Sequence, residues 1–344
     1  MLEVLEGLEM GSVGIFPPSL KAEIESETSK GTLPRIPAYM FDDTGERDRL
    51  GPSPILSDIM TVVEDAEHCV RTGQTEDGWN ALVHHPLLRL SLHGGRRRGP
   101  SLLDSRLCTS AKIISRYMPA TPRKSRRVDF CMVCCPDQVK TEAEAVAAIT
   151  SLREKLPGSS INHTDAAILS DTPIAISIEV KKDGGDEQRQ ALQLAIWQVS
   201  QWNMWSQLIE GRLLSVAATD THGRNLQSSD SGNSQAIGTD SDAPGEANPA
   251  SETAHDECNR LLRQLPFLPA ISVRGHAWYL AATSRNGAET ILWSDYPIGT
   301  TRSIIGVYKI IYVLQKLKCY IEDTYWPWYK RVLLKIQKEA VLPP

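Results

Sequence analysis

The sequence predicts a mixed α/β fold, a central sheet flanked by helices, and three observations predict it. The run "PIAISIEVKK" alternates at period two, with Ile174, Ile176, Ile178 and Val180 on one face and Ala175, Ser177, Glu179 and Lys181 on the other. Helical spacing brackets such runs, as in Ile55, Ile59, Val62, Val63, Ala66 and Val70. Read along the chain, the elements follow a helix–strand–strand–helix–strand–helix order, which suits a mixed sheet. With 344 residues, 41% apolar and 23% charged, the chain has enough material for a sizeable core.

Taken in order, residues 1–52 hold Pro17, Pro18, Pro34, Pro37 and Pro52 with little periodicity, so they are expected to form a loosely ordered acidic arm. The remainder, 53–340, is expected to be a single domain. Its first helix covers the Ile55–Val70 spacing, and a second runs from Thr75 through Trp79 and Leu82 to Pro86, with Glu76 in its first turn. "TSAKIISRY" (109–117) and "RRVDFCMVC" (126–134) alternate as strands. "TEAEAVAAITSLREKL" opens with Thr141 and Glu144 in capping-box spacing and predicts a helix. The strand 174–181 follows, then a helix from about Asp186. Residues 224–258 carry seven acids, one Arg and almost no large apolar side chain, which predicts a disordered insertion. Beyond it "FLPAISVRGHAWYLAAT" and "ETILWSD" read as strands around an Arg274-Gly275 turn, and a helix runs from about Thr301 past Lys318. No internal repeat is apparent.

Composition narrows the setting. No apolar run approaches a membrane span, and "MLEVLEGLEM" is acidic where a secretory signal would be basic, so an intracellular protein, nuclear or cytoplasmic and without a membrane partner, is expected. Seven irregularly spaced cysteines predict free thiols. The net charge of −5 hides a segregation: residues 1–77 hold sixteen acids against six Lys/Arg, whereas Arg89 to Arg127 hold eleven Lys/Arg against the single acid Asp104. The second block, with Arg96, Arg97 and Arg98 in "GGRRRGP" and Arg126 and Arg127 in "TPRKSRR", is the footprint expected for a polyanion such as DNA. A solvated surface balancing the acidic N-terminal region is the alternative.

Chemistry concentrates at Glu179 and Lys181. At a strand end bordering a cleft, a Glu can hold a divalent cation while a Lys on the same face polarises water. A lone Glu-x-Lys is also an ordinary surface ion pair. A metal site needs a second acid on a neighbouring strand, and Asp129 fits, since it lies within an alternating run and must find a partner there. Asp137 follows Pro136 in a turn, which gives its side chain no fixed direction.

Asp129, then Glu179-Val180-Lys181, then Gln193 to Trp197 on the following helix resemble the PD-(D/E)xK nuclease superfamily. Within it, "GWNALVHHPLLRLSL", "RRVDFCMV", "NHTD", "PIAISIEVKK", "LQLAIWQ", "FLPAISVRGHAWYL" and "YWPWYKRVLL" are similar to nuclease-like domain proteins of filamentous fungi, across Thr75 to Leu334. The resemblance implies a restriction-endonuclease-like mixed sheet and a metal-dependent nuclease acting on DNA. It implies that Asp129, Glu179 and the Val180 carbonyl hold Mg²⁺ or Mn²⁺, that Lys181 activates water, and that Gln193 steadies the site. Glu76 stands where many members place an extra acidic ligand, although a helix-dipole role in the N-terminal turn is the favoured reading. The chain departs from the pattern in Trp197 for a tyrosine and in the wide separation of Asp129 from Glu179. Two other readings stay open: a binding module without turnover, and a fold recruited for a non-nuclease reaction in fungal small-molecule metabolism.

Other signals carry less. Cys131, Cys134 and Cys135 resemble half a zinc knuckle but lack a second pair. His84 and His85 are expected to pack at a helix end. Trp197, Trp202 and Trp205 read as core, and Gly184-Gly185 is too short for a phosphate loop.

Overall fold

The computed structural model describes residues 2–9, 11, 13–95, 99–120, 127–227 and 249–338. Its α-helices before the sheet are α1 (Leu2–Glu9), α2 (Lys21–Ser29), α3 (Glu46–Arg49), α4 (Leu56–Arg71), α5 (Glu76–Trp79) and α6 (His85–His93). Then come β1 (Leu103–Leu107), β2 (Phe130–Cys134), α7 (Ala143–Arg153), β3 (Ile174–Lys181), α8 (Glu187–Gln227) and α9 (Pro249–Leu262). The chain closes with β4 (Leu268–Arg274), β5 (Ala277–Asn286), β6 (Glu289–Thr300), α10 (Ile304–Tyr320) and α11 (Trp326–Lys338).

The six strands form one mixed sheet in chain order, β1-β2-β3-β4-β5-β6, as the sequence predicts in class. Every neighbouring pair is antiparallel except β3 and β4. A parallel pair requires a crossover, and α8 and α9, packed on each other, supply it. The β4–β5 hairpin turns where expected, through Gly275 at φ +54°.

Helices cover both faces. On one, Phe130, Met132, Ile176, Ile178, Ile271 and Val273 pack with α4, α6 and α10 in the larger core. The helix α10 is apolar around nearly its whole circumference and is buried accordingly. Its Ser303 N-cap accepts the Gly306 N–H at 3.2 Å. Gly306 must lack a side chain, because a Cβ would stand 2.1 Å from the Thr300 carbonyl oxygen. On the other face, Leu194, Ile196 and Trp197 of α8 cover Cys131, Val133, Ala270 and Ala281. The alternation of β3 holds for Ile176, Ile178 and Val180, but Ile174 and Ala175 exchange sides, because the β2–β3 register shifts at Met132/Val133.

Several expectations are corrected. Residues 109–117 form no strand: Ile113 makes an isolated bridge to Thr164 and Ser115–Tyr117 is a 3₁₀ turn, its apolar side chains buried as loop anchors. The sheet edge is taken by β1, where Asp104 and Arg106 pair with each other beside buried Leu103 and Ser105. The Thr141–Glu144 box does not form, since α7 begins at Ala143 after a 3₁₀ turn. Where the sequence predicts a loose arm, residues 2–52 carry α1 to α3 and insert Ile15, Phe16 and Ile24 into the larger core. Buried Arg47 ties this segment down, donating through Nε to the Ile15 carbonyl at 3.0 Å and through Nη1 to Gln315 Oε1 at 2.7 Å. At the expected insertion 224–258, α8 reaches Gln227 and α9 starts at Pro249; residues 228–248 lie outside the described residues.

Candidate active site

Pairing of β2 with β3 carries Phe130 opposite Ile178, which sets Asp129 against the end of β3. The Asp129 N–H donates to the Ile178 carbonyl at 3.0 Å, and its Oδ2 accepts the Val180 N–H at 2.8 Å. Glu179 is 1% exposed. Its Oε1 accepts from Lys181 Nζ, while its buried Oε2 has no protein hydrogen-bond donor. Lys181 Nζ also donates to the Val180 carbonyl at 2.7 Å and lies 3.6 Å from Glu76 Oε1 at the start of α5. Residues distant in sequence thus meet at one end of β2 and β3.

The charges are strained by burial. Desolvation pushes Glu179 up to about 8, helped by the Asp129 charge and opposed by Lys181. Desolvation also pushes Asp129 up to about 6, against the Val180 N–H and Lys181. For Lys181 burial disfavours the charge, but the Glu179 carboxylate outweighs it and the ammonium is held above its ordinary value. Burial thus favours the protonated form of both carboxyls, and the Lys181 ammonium opposes it.

The glutamine that touches this centre is one that the sequence reading missed. Gln190, fully buried in α8, donates through Nε2 to the Glu179 carbonyl at 2.9 Å and the Val273 carbonyl at 3.0 Å, and its Oε1 accepts from Arg274 Nε at 3.0 Å. It bridges β3 and β4 directly beneath the acidic residues. Gln193, one turn later, faces the rim and donates to the Arg127 carbonyl at 2.7 Å, two residues before Asp129. Spacing at i and i+3 puts both on one side of the helix, so the sequence holds no signal that separates them.

Of the basic candidates, Arg127 is exposed beside the site, with Nη1 3.4 Å from the Thr109 carbonyl. Arg96, Arg97, Arg98 and Arg126 lie outside the described residues. Asp137 is exposed in a 3₁₀ turn and lines a cavity of about 680 Å³ with His93, Asp104, Arg106 and Thr172. That cavity opens where Leu103 pairs with Cys134, the opposite end of β1–β2 from Asp129, so volume and chemistry do not coincide. Trp197, Trp202 and Trp205 are core, and His84 stacks on Trp79 inside the molecule. Cys131 and Cys134 occupy opposite cores, and all seven cysteines are free.

The donors available to a cation are oxygens, which suit a hard divalent ion. The buried Glu179 Oε2 lacks a donor, and a cation would satisfy it. Among the described residues no group of three or more His, Cys, Asp and Glu is arranged to hold a metal. Two carboxylates and a carbonyl nonetheless suffice for Mg²⁺, which usually keeps several of its waters.

A family model for the PD-(D/E)XK nuclease superfamily matches residues 25–326. No curated protein and no solved structure matches the chain. No helix among the described residues is long and apolar enough to cross a membrane.

Proposed function

The chain belongs to the PD-(D/E)XK nuclease superfamily, and from that premise we propose that it is a divalent-metal-dependent hydrolase of DNA phosphodiester bonds. The observation that carries this reading is the meeting of Asp129, Glu179 and Lys181 at one strand end, with one buried carboxylate oxygen left without a donor. Asp129, Glu179 and the Val180 carbonyl would hold Mg²⁺ or Mn²⁺, with Glu76 beside them. Such an ion supplies charge neutralisation at the scissile phosphate and a more acidic bound water. Lys181 orients the attacking water and offers its positive charge to the phosphate as negative charge develops. Gln190 fixes the Glu179 backbone so that the carboxylate cannot drift. Arg127 and the arginines of the basic block would position the DNA backbone without reading its sequence.

The test is cleavage of linear, nicked and single-stranded DNA by purified wild type, Asp129→Asn and Glu179→Gln across Mg²⁺ and Mn²⁺ concentrations. Wild type is expected to cleave at least one of them, chelator to stop it, and each variant to lose on the order of 10²-fold or more, the scale seen when charge stabilisation is removed. Wild type without metal-dependent cleavage, or variants that cleave as well as it does, would overturn the proposal in favour of a binding module.

A further inference from the structure

The Lys181 ammonium engages two of the oxygens that a bound cation would need. It donates to Glu179 Oε1 and, at 2.7 Å, to the Val180 carbonyl, and it stands 3.6 Å from Glu76 Oε1. The first two belong to groups assigned above to the metal ion, and Glu76 stands beside them. The remaining ligand, Asp129, is turned onto the Val180 N–H at 2.8 Å. An ammonium is a compact point charge with three donors, so it satisfies the same oxygen set as a metal ion, at half the charge of a divalent one.

Both cannot hold these oxygens together. A lysine whose Nζ lies between Glu179 Oε1 and the Val180 carbonyl blocks the approach to those two oxygens and leaves Oε2 of Glu179 without a donor, and two cations at hydrogen-bond range repel strongly. We propose that Lys181 is a tethered competitor of the metal ion: in the metal-free protein it neutralises the ligand oxygens, and it must withdraw before a divalent cation engages them. The inference rests on the metal-dependent reading above but concerns ion binding alone.

The route out is present. Lys181 is the last residue of β3, its side chain is 21% exposed, and its four-carbon stem can swing toward solvent by rotation alone. Once withdrawn it stays tethered within a side chain's length of the centre, where the reading above gives it its catalytic duty. One side chain thus guards the site when the ion is absent and serves it when the ion is present. Apparent metal affinity is the intrinsic affinity multiplied by the fraction of molecules whose lysine has withdrawn.

The experiment titrates Mn²⁺ alone, without DNA, into the full chain and follows binding by calorimetry and by the Mn²⁺ spin-resonance signal. Lys181→Met removes the competing charge and keeps most of the stem. It is expected to bind Mn²⁺ about tenfold or more tightly than wild type. Lys182→Ala removes the same charge from an exposed neighbour and is expected to stay within about twofold of wild type, since exposed charges are screened. Lys181→Gln, which keeps a donor for the Val180 carbonyl, is the second neutral variant should the Met variant not fold, with the same expectation. Equal or weaker binding by the folded neutral variant overturns the competition and leaves the nuclease reading standing. Equal tightening by Lys182→Ala also overturns it, by showing an effect of net charge. If neither wild type nor any variant binds Mn²⁺, the metal-dependent reading fails and the competition fails with it.

Discussion

His163 lies inside the smaller core, edge-on to Trp197 with ring centroids 4.5 Å apart, and neither ring nitrogen has a protein partner. Burial pushes its imidazole down to about 3. The unfolded chain titrates near about 6.5, so below that pH the unfolded state holds more protons than the folded one. Its contribution to stability is therefore complete above about pH 6.5 and is lost as pH falls toward the folded value, reaching about 2 kcal/mol by pH 5. His163→Phe keeps an aromatic edge against Trp197 and removes the titration. Urea melts at pH 7 and pH 5 should show a smaller loss of stability in this variant than in wild type. An equal loss would place the acid sensitivity elsewhere, first at His84, which burial pushes down to about 4. At this scale Glu179, Lys181 and Asp129 were legible because alternation assigns a strand residue to a face, and a charge on a buried face must have a partner. Gln190 was not legible: it and Gln193 share a helical side, and only the register of α8 against the end of β3 decides which of them meets the backbone.

The helix α8 grips the parallel pair at both ends. Gln190 holds Glu179 and Val273, Gln198 donates to Pro269 at 3.0 Å, and Gln201 donates to Ile174 at 2.8 Å, in each case through a backbone carbonyl. Amide side chains buried along one helix are stable only because each finds such an acceptor. Gln190→Ala removes the added bonds to the Glu179 and Val273 carbonyls and leaves Arg274 Nε without its acceptor, so it should cost about 1–3 kcal/mol. Half-buried Gln193→Ala should cost less than about 1 kcal/mol, and chemical denaturation of both variants checks the contrast. A larger cost at Gln193 would mean that the rim contact to Arg127 matters more than the seam. Long helices and interior strands were legible from period. The edge strand β1 was hidden by its Asp104–Arg106 pair, which reads in sequence as part of a charged surface.

For the whole molecule, the N-terminal segment was misjudged because its burial depends on a helix near the other end of the chain. Phe16 packs on Tyr308 of α10 with centroids 4.6 Å apart, and Arg47 reaches Gln315 of the same helix. No local periodicity can announce such a partner. Ile15, Phe16, Leu20, Ile24 and Ile36 are all buried. At about 1.5–3 kcal/mol for each large apolar side chain they contribute on the order of 10 kcal/mol, as much as the net stability of a typical protein, about 5–15 kcal/mol. A fragment beginning at Ser53 should therefore show no cooperative thermal transition, whereas a melt like that of the full chain would show the segment to be dispensable. The topology also imposes an order of assembly. Strands β1 to β3 pair through contacts nearer in sequence than the crossover, and so do β4 to β6; only the parallel seam must wait for α8 and α9 to bring the halves together. Closing that long connection carries the largest entropic cost among the strand pairings, which makes it the late step in folding. Gln190 and Arg274 straddle the seam. A chain emerging from the ribosome thus has its carboxylates in place before it has the clamp that steadies them, and the centre is complete only after β4 has docked.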